Sequence, residues 1–276
     1  MALPPSEVAN RQAAKELTRV SNASASAMQK HVGRDMDRLM QIAATKGEKA
    51  ALADLRRSTR AASATFRKTI SPSTIKRTVG NIFTSVSRAS DISFVGAVRR
   101  AAGTAIRKLE LIGRSTGLPI GKAGTQWQRE LTGKLRAWGS NDVASLERKL
   151  SSVLKSAAKQ GARARAKGEK PSRAALNKLT ARGRDIVTKQ TQISRRRAIN
   201  TAVDRAGSLR AASASSRAKQ IGDESYIWTT VGDDRVRDEH AAREGKKFKF
   251  SQPPEDGNPG EPPNCRCIAA PVIDLS

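Results

Sequence analysis

The side chains with the sharpest ligand chemistry in this sequence are His240, Cys265 and Cys267. Neutral imidazole and thiolate are the usual ligands of tetrahedral zinc. If Asp233 opens a helix, Asp233, Arg237 and His240 follow at spacings of four and three and share one face. In an extended segment Cys265 and Cys267 point to the same side. One imidazole, two thiolates and the Asp233 carboxylate could then converge on a structural zinc ion, the one cofactor the sequence suggests. A C-x-C pair is tighter than the usual gap between zinc cysteines. The other reading is that both cysteines are small buried hydrophobes and that His240 hydrogen-bonds a backbone carbonyl of the proline-rich loop.

Catalysis has less support. Asp233, Arg235 and Arg237 read as a helix cap with salt bridges that tie the helix to a loop. A His-Asn-His nuclease needs a second histidine nearby. The chain's other histidine, His31, lies on an Arg- and Met-rich stretch and reads as exposed. No phosphate-binding glycine loop, nucleophile elbow or pair of catalytic carboxylates is present. The expectation is a protein that performs no chemistry.

The elements that must position the cluster follow from local composition. Tyr226 to Val231 is β-branched and aromatic, so it reads as a strand. Asp233-Asp234 can cap a helix running to about Glu244, with Gly245 placed to end it. Lys247 to Phe250 alternates as a second strand. Ser251 to Pro263 holds five of the chain's 11 prolines and must be a loop. Ile268 to Ile273 reads as a third short strand, with Pro271 arguing for a sheet edge.

Upstream the texture is different. The formal net charge of the 276-residue chain is +27, and its excess lies in residues 1–225, with 45 Lys+Arg against 16 Asp+Glu. Residues 226–276 hold seven and nine. Five apolar stripes recur at helical spacing: Met28 to Met40, Val95 to Leu109, Val143 to Ala157, Leu176 to Val187, and Ile199, Val203, Ala206, Leu209. Breaks are expected at 70–75, 114–125, 139–142, where Ser140-Asn141-Asp142 offers capping groups, and 167–172, within a linker spanning Ala162–Arg173. Only thin apolar stripes are available, so this region should depend on partners for order. The fold class is therefore α+β: an extended, mostly helical basic region over 1–190, and a small module of about three strands and a helix over 191–276. No apolar run is long enough for a membrane span, and no secretory signal opens the sequence. Two cysteines one residue apart suit a reducing compartment such as bacterial cytoplasm.

So large a charge opposes compaction unless it is neutralised. Double-stranded DNA is one counter-charge, and an acidic protein surface is another. Arg163, Arg165, Arg195, Arg196 and Arg197 are the candidate DNA contacts. No groove-reading motif is present, so binding should be non-specific.

Trp228-Thr229-Thr230-Val231-Gly232-Asp233-Asp234-Arg235-Val236-Arg237-Asp238-Glu239-His240 resembles the W-T-x-x-x-D-x-R-V-R-x-x-H signature of phage Mu F-like head morphogenesis proteins. Gly245 and Phe248 fit the positions that follow, and Pro262-Pro263-Asn264-Cys265-Arg266-Cys267 is similar to the closing P-x-N-C-R-C. Arg195 to Arg210, with Asn200 and Arg205, resembles the family's upstream helix. Thr191-Gln192 stands where that helix usually has an acidic residue after threonine, which argues against a catalytic or metal role there. The resemblance implies a minor capsid protein of few copies inside the virion head, attached to the portal protein at its vertex. It also implies a role in head assembly, DNA packaging or ejection, with the major capsid protein or scaffold as further partners. The rival expectation is a nucleoid-type DNA-binding protein.

Overall fold

The computed structural model describes residues 5–102, 121–221 and 224–272. Its elements are α1 (Pro5–Met28), a π-helical turn (Gln29–Gly33), α2 (Met36–Lys46), α3 (Glu48–Thr69), α4 (Pro72–Ala102), α5 (Gly121–Ala166) and α6 (Arg173–Ile221). Then come β1 (Ser225–Thr229), the short α7 (Asp238–Ala241), β2 (Lys247–Lys249) and β3 (Ile268–Pro271). The fold is α+β, as the patterning implies. Among the described residues no helix is long and apolar enough to cross a membrane.

Packing divides the chain differently from a cut at residue 190. One compact unit comprises Thr18–Ile75 and Gly133–Ala198; the other is built from the described parts of Met1–Leu17, Lys76–Thr132 and Ile199–Ser276. In the first, the thin stripes pool into one core. Met28, Val32, Met36, Leu39 and Met40 meet Leu55, Leu146, Leu150, Val153, Leu154 and Val187, all buried. Each such side chain contributes about 1.5–3 kcal/mol when withdrawn from water, so several narrow stripes suffice once they face one another.

Several local expectations are corrected. Helix α5 runs unbroken through 139–142. Gly139 lies beneath the Phe66 ring, with no room for a Cβ, and so serves packing instead of a turn. Asp142 caps nothing. It is fully buried and accepts hydrogen bonds from Ser24 Oγ (2.9 Å), Ser194 Oγ (2.6 Å) and Arg197 Nη1 (3.2 Å). On α6 the buried row is Ala198, Ala202, Ala206 and Leu209, while Ile199 is 40% exposed. The small alanines occupy the buried face, and the bulkier Ile199 lies at the surface. His31 is half-buried, not exposed, and its Nε2 lies 2.8 Å from Thr65 Oγ1.

The other boundaries hold. Ile70 and Ser71 separate α3 from α4, with Ser71 Oγ accepting from Thr74 N–H (3.2 Å). Residues 167–172 separate α5 from α6, a shorter linker than Ala162–Arg173 because α5 persists to Ala166. Residues 103–120, which carry the end of the Val95–Leu109 stripe and the 114–120 part of the expected break, lie outside the described residues, as does Ile273; at 121–125, the remainder of that expected break, α5 has already begun.

In the second unit α6 is tied to α1 and α5. Arg210 Nη1 donates to Asn10 Oδ1 (2.7 Å), and Trp127 Nε1 donates to the Arg205 carbonyl (2.8 Å). The three strands form an antiparallel sheet in the order β2-β1-β3, which places Pro271 on an edge strand as expected.

Candidate metal centre

Strand β1 is the platform. Its alternation sends Tyr226 and Trp228 to one face, where both are fully buried. Phe250 and Phe248 pack on Tyr226, with ring centroids 4.6 and 5.9 Å away. His240 meets Trp228 edge-on at 5.2 Å, and the Arg243 guanidinium lies 5.0 Å from the Trp228 ring. The chain reaches His240 and returns through Gly245, whose φ of +73° favours glycine. The Gly245 N–H donates to the Trp228 carbonyl, and the Trp228 N–H to Lys246 O, both at 2.9 Å.

The helix expected from Asp233 to Glu244 is only α7, with Arg237 in extended conformation before it. Asp233 sits in the preceding turn and faces another partner. Arg266 grips it with two hydrogen bonds, Nη1 to Oδ2 (2.7 Å) and Nη2 to Oδ1 (2.5 Å). These bonds hold the Asp233 carboxyl down at about 2. Asp233 therefore stands apart from the thiols, because its carboxylate is engaged by Arg266. Arg235 is exposed and approaches Asp233 at 3.4 Å. Arg237 reaches across to the Pro263 carbonyl.

His240, Cys265 and Cys267 do converge. Their ligand atoms lie within 4.8 Å of one another, and all three residues are buried. His240 Nδ1 is 3.6 Å from Cys265 Sγ and 3.5 Å from Cys267 Sγ. Its other nitrogen, Nε2, is 2.8 Å from Asp256 Oδ2, a carboxylate of the loop where a backbone carbonyl was expected. Arg243 Nη1 donates to the other Asp256 oxygen (2.6 Å). Burial pushes Asp256 up, but hydrogen bonds from His240 and Arg243 more than offset it, so the net shift is downward. A hydrogen bond from Cys267 holds the Cys265 thiol below its ordinary range against the effect of burial, and that same bond together with burial pushes Cys267 up.

The N-C-R-C turn is anchored on α6. Asn264 adopts φ 57°, and its N–H donates to Asp204 Oδ1 (2.6 Å). The Gly260 N–H donates to Cys265 Sγ (3.3 Å). Asp204, Asp256, Arg243 and Gly260 escaped the sequence reading. Asp204, Asp256 and Arg243 act on partners distant along the chain, Gly260 acts on the Cys265 sulfur close by, and no local pattern marks these partnerships.

The five candidate DNA-contacting arginines fall in the helical unit, and the structure separates them. Arg163, Arg195 and Arg196 are exposed. Arg197 also reaches the surface but is paired with buried Asp142. Arg165 donates to the carbonyls of Ala44 and Thr45 at the end of α2.

Comparison with known proteins bears on the same elements. The family described as phage Mu protein F like protein matches residues 121–270, spanning α5, α6 and the module through β3. The chain is 36% identical over 104 residues to an uncharacterized protein of Haemophilus influenzae, covering 37% of this chain and 22% of that protein. The match thus spans about a fifth of that relative's length. No solved structure matches.

Proposed function

The chain belongs to the phage Mu protein F-like family, a family of bacteriophage head morphogenesis, and from that membership we propose that it is a minor structural protein of a tailed-phage head, docked at the portal vertex. The observation that carries this reading is the use made of the signature side chains. Arg266 holds Asp233, Arg237 holds the Pro263 carbonyl, and His240 joins both cysteines beneath Trp228. These residues lock a small module together; their contacts are internal and support a structural role.

Composition supports a division of labour. Residues 226–276, with seven basic and nine acidic side chains, can dock on protein without attracting the genome. The basic residues upstream lie against packaged DNA or an acidic portal surface. In this reading the chain acts in head assembly, packaging or ejection and carries out no reaction.

Deletion from the parent phage tests the proposal. Heads should assemble or package poorly, or virions should lose infectivity. Wild-type virions should contain the chain in far fewer copies than the major capsid protein. Fully infectious particles from the deletion, together with wild-type virions lacking the chain, would favour a nucleoid-type DNA-binding protein instead.

A further inference from the structure

We propose that His240, Cys265 and Cys267 bind a zinc ion through Nδ1 and the two sulfurs, and that the ion staples the N-C-R-C turn to α7. The ligand set is the first reason, since one imidazole and two thiolates suit zinc. The spacing is the second. With the usual zinc–sulfur and zinc–nitrogen lengths, a sulfur and a nitrogen on one tetrahedral ion stand about 3.5 Å apart. The two sulfur–nitrogen separations here are 3.5 and 3.6 Å.

Hydrogen bonding alone accounts poorly for that symmetry. Nε2 faces the Asp256 carboxylate at 2.8 Å and so carries the ring proton. Nδ1 then has a single lone pair, which can accept from one thiol. Two sulfurs nonetheless approach it at nearly equal distance. A cation shared by all three atoms explains both approaches.

The surrounding groups match those of a metal site. Ligating histidines commonly turn their second nitrogen to a carboxylate, which fixes the tautomer and strengthens the donor. Asp256 occupies that place and is itself held by Arg243 at 2.6 Å. The Gly260 N–H, 3.3 Å from Cys265 Sγ, stabilises negative charge on that sulfur. Among the described residues no further His, Cys, Asp or Glu joins the group. The fourth ligand is accordingly water or a small anion. His240 is 2% exposed and both cysteines 3%, so the centre is enclosed by the module. It joins segments that the proline-rich loop separates, as a staple does in other small modules. This inference is independent of the docking site on the head.

The test uses the purified full chain. Metal analysis should find about one zinc per chain. After chelation under reducing conditions, cobalt(II) should restore a site with sulfur-to-cobalt charge-transfer bands and tetrahedral d–d absorption, and zinc should displace the cobalt. Cys265→Ser and Cys267→Ser should each weaken or abolish the charge-transfer bands. Asp256→Asn leaves every ligand in place, so it should keep those bands while lowering zinc affinity about 10–100-fold. Should the cysteine variants fail to fold, the wild-type titration and Asp256→Asn still decide the matter. A stripped, reduced wild-type chain that gives no thiolate–cobalt band, and whose thermal midpoint zinc does not raise, would overturn the proposal.

Discussion

Gly207 of α6 and Gly260 of the proline-rich loop meet backbone to backbone. A Cβ on Gly207 would stand 2.6 Å from the Gly260 carbonyl oxygen, and one on Gly260 would stand 2.7 Å from that of Gly207. This close approach seats the loop on α6 and brings Asn264 within reach of Asp204.

Gly207→Ala should therefore destabilise the protein by about 1–3 kcal/mol through overpacking, although alanine is the better helix former. Gly260→Ala should cost more, because Gly260 also has φ +90°. The control is Gly133→Ala, an exposed helical site where nothing lies within 4 Å of the added carbon. It should stabilise by about 0.5–1 kcal/mol. Urea midpoints of the three variants decide the point; a neutral Gly207→Ala would show that the contact is loose.

Much of the C-terminal module was legible because its signals are local. Alternation marked β1 and β2, prolines marked the loop, and a C-x-C pair implied sulfurs on one side. The failures share a physical cause, which is tertiary context changing the meaning of a local pattern. Gly139-Ser140-Asn141-Asp142 has turn chemistry, yet Gly139 makes room for Phe66 and Asp142 is a buried hub. Asp233 looked like a helix cap until Arg266 supplied a stronger partner. Ile199 looked like core, but the buried row is the smaller Ala198-Ala202-Ala206. The carboxylate behind His240 could not be picked out of a loop by pattern alone.

The Asp142 hub separates buried from exposed electrostatics. Asp142→Asn keeps the shape but turns an NH2 toward hydroxyl and guanidinium donors, and should cost about 1–3 kcal/mol. Arg197, whose side chain is 43% exposed, can rehydrate when its partner is lost. Arg197→Ala leaves the Asp142 carboxylate its bonds from Ser24 and Ser194, so it should cost less than Asp142→Asn. Equal effects in chemical denaturation would mean that the pair, and not the buried carboxylate, carries the energy.

The Asp233–Arg266 pair predicts a limb of acid sensitivity. The Asp233 carboxyl stands at about 2 in the folded chain against an ordinary 3.8. Its pKa is depressed by folding, so its contribution is present above 3.8 and is lost as pH falls through about 2. Asp233→Asn should lower the thermal midpoint at neutral pH and flatten its fall across that window. An unchanged acid limb in this variant would mean that the salt bridge contributes nothing to folding.

Tyr226 predicts the opposite limb. Its buried hydroxyl has no hydrogen-bond partner among the described residues. Burial, with help from Glu261, pushes its pKa from 10.0 up to about 12. A raised folded-state value means stability that is present below 10.0 and lost as pH rises through about 12. Tyr226→Phe removes an unsatisfied polar group, so stability at neutral pH should hold or rise by about 1 kcal/mol, with a weaker alkaline decline. A clear loss of stability in Tyr226→Phe would reveal a bond to the hydroxyl.

The arginines should also differ in how they serve DNA. Each phosphate neutralised on a duplex contributes about 0.9 to the slope of log affinity against log salt. Arg163, Arg195 and Arg196 are exposed, so replacing any one with Ala in the full chain should reduce that slope by about 0.9 without changing the thermal midpoint. Arg165 and Arg197 are already engaged, by the Ala44 and Thr45 carbonyls and by Asp142. Their alanine variants should leave the slope nearly unchanged and act on stability instead. Anisotropy titrations of a mixed-sequence duplex at several salt concentrations separate the two groups. If all five variants bind like the wild type, the basic charge of this chain answers to an acidic protein surface and not to the genome.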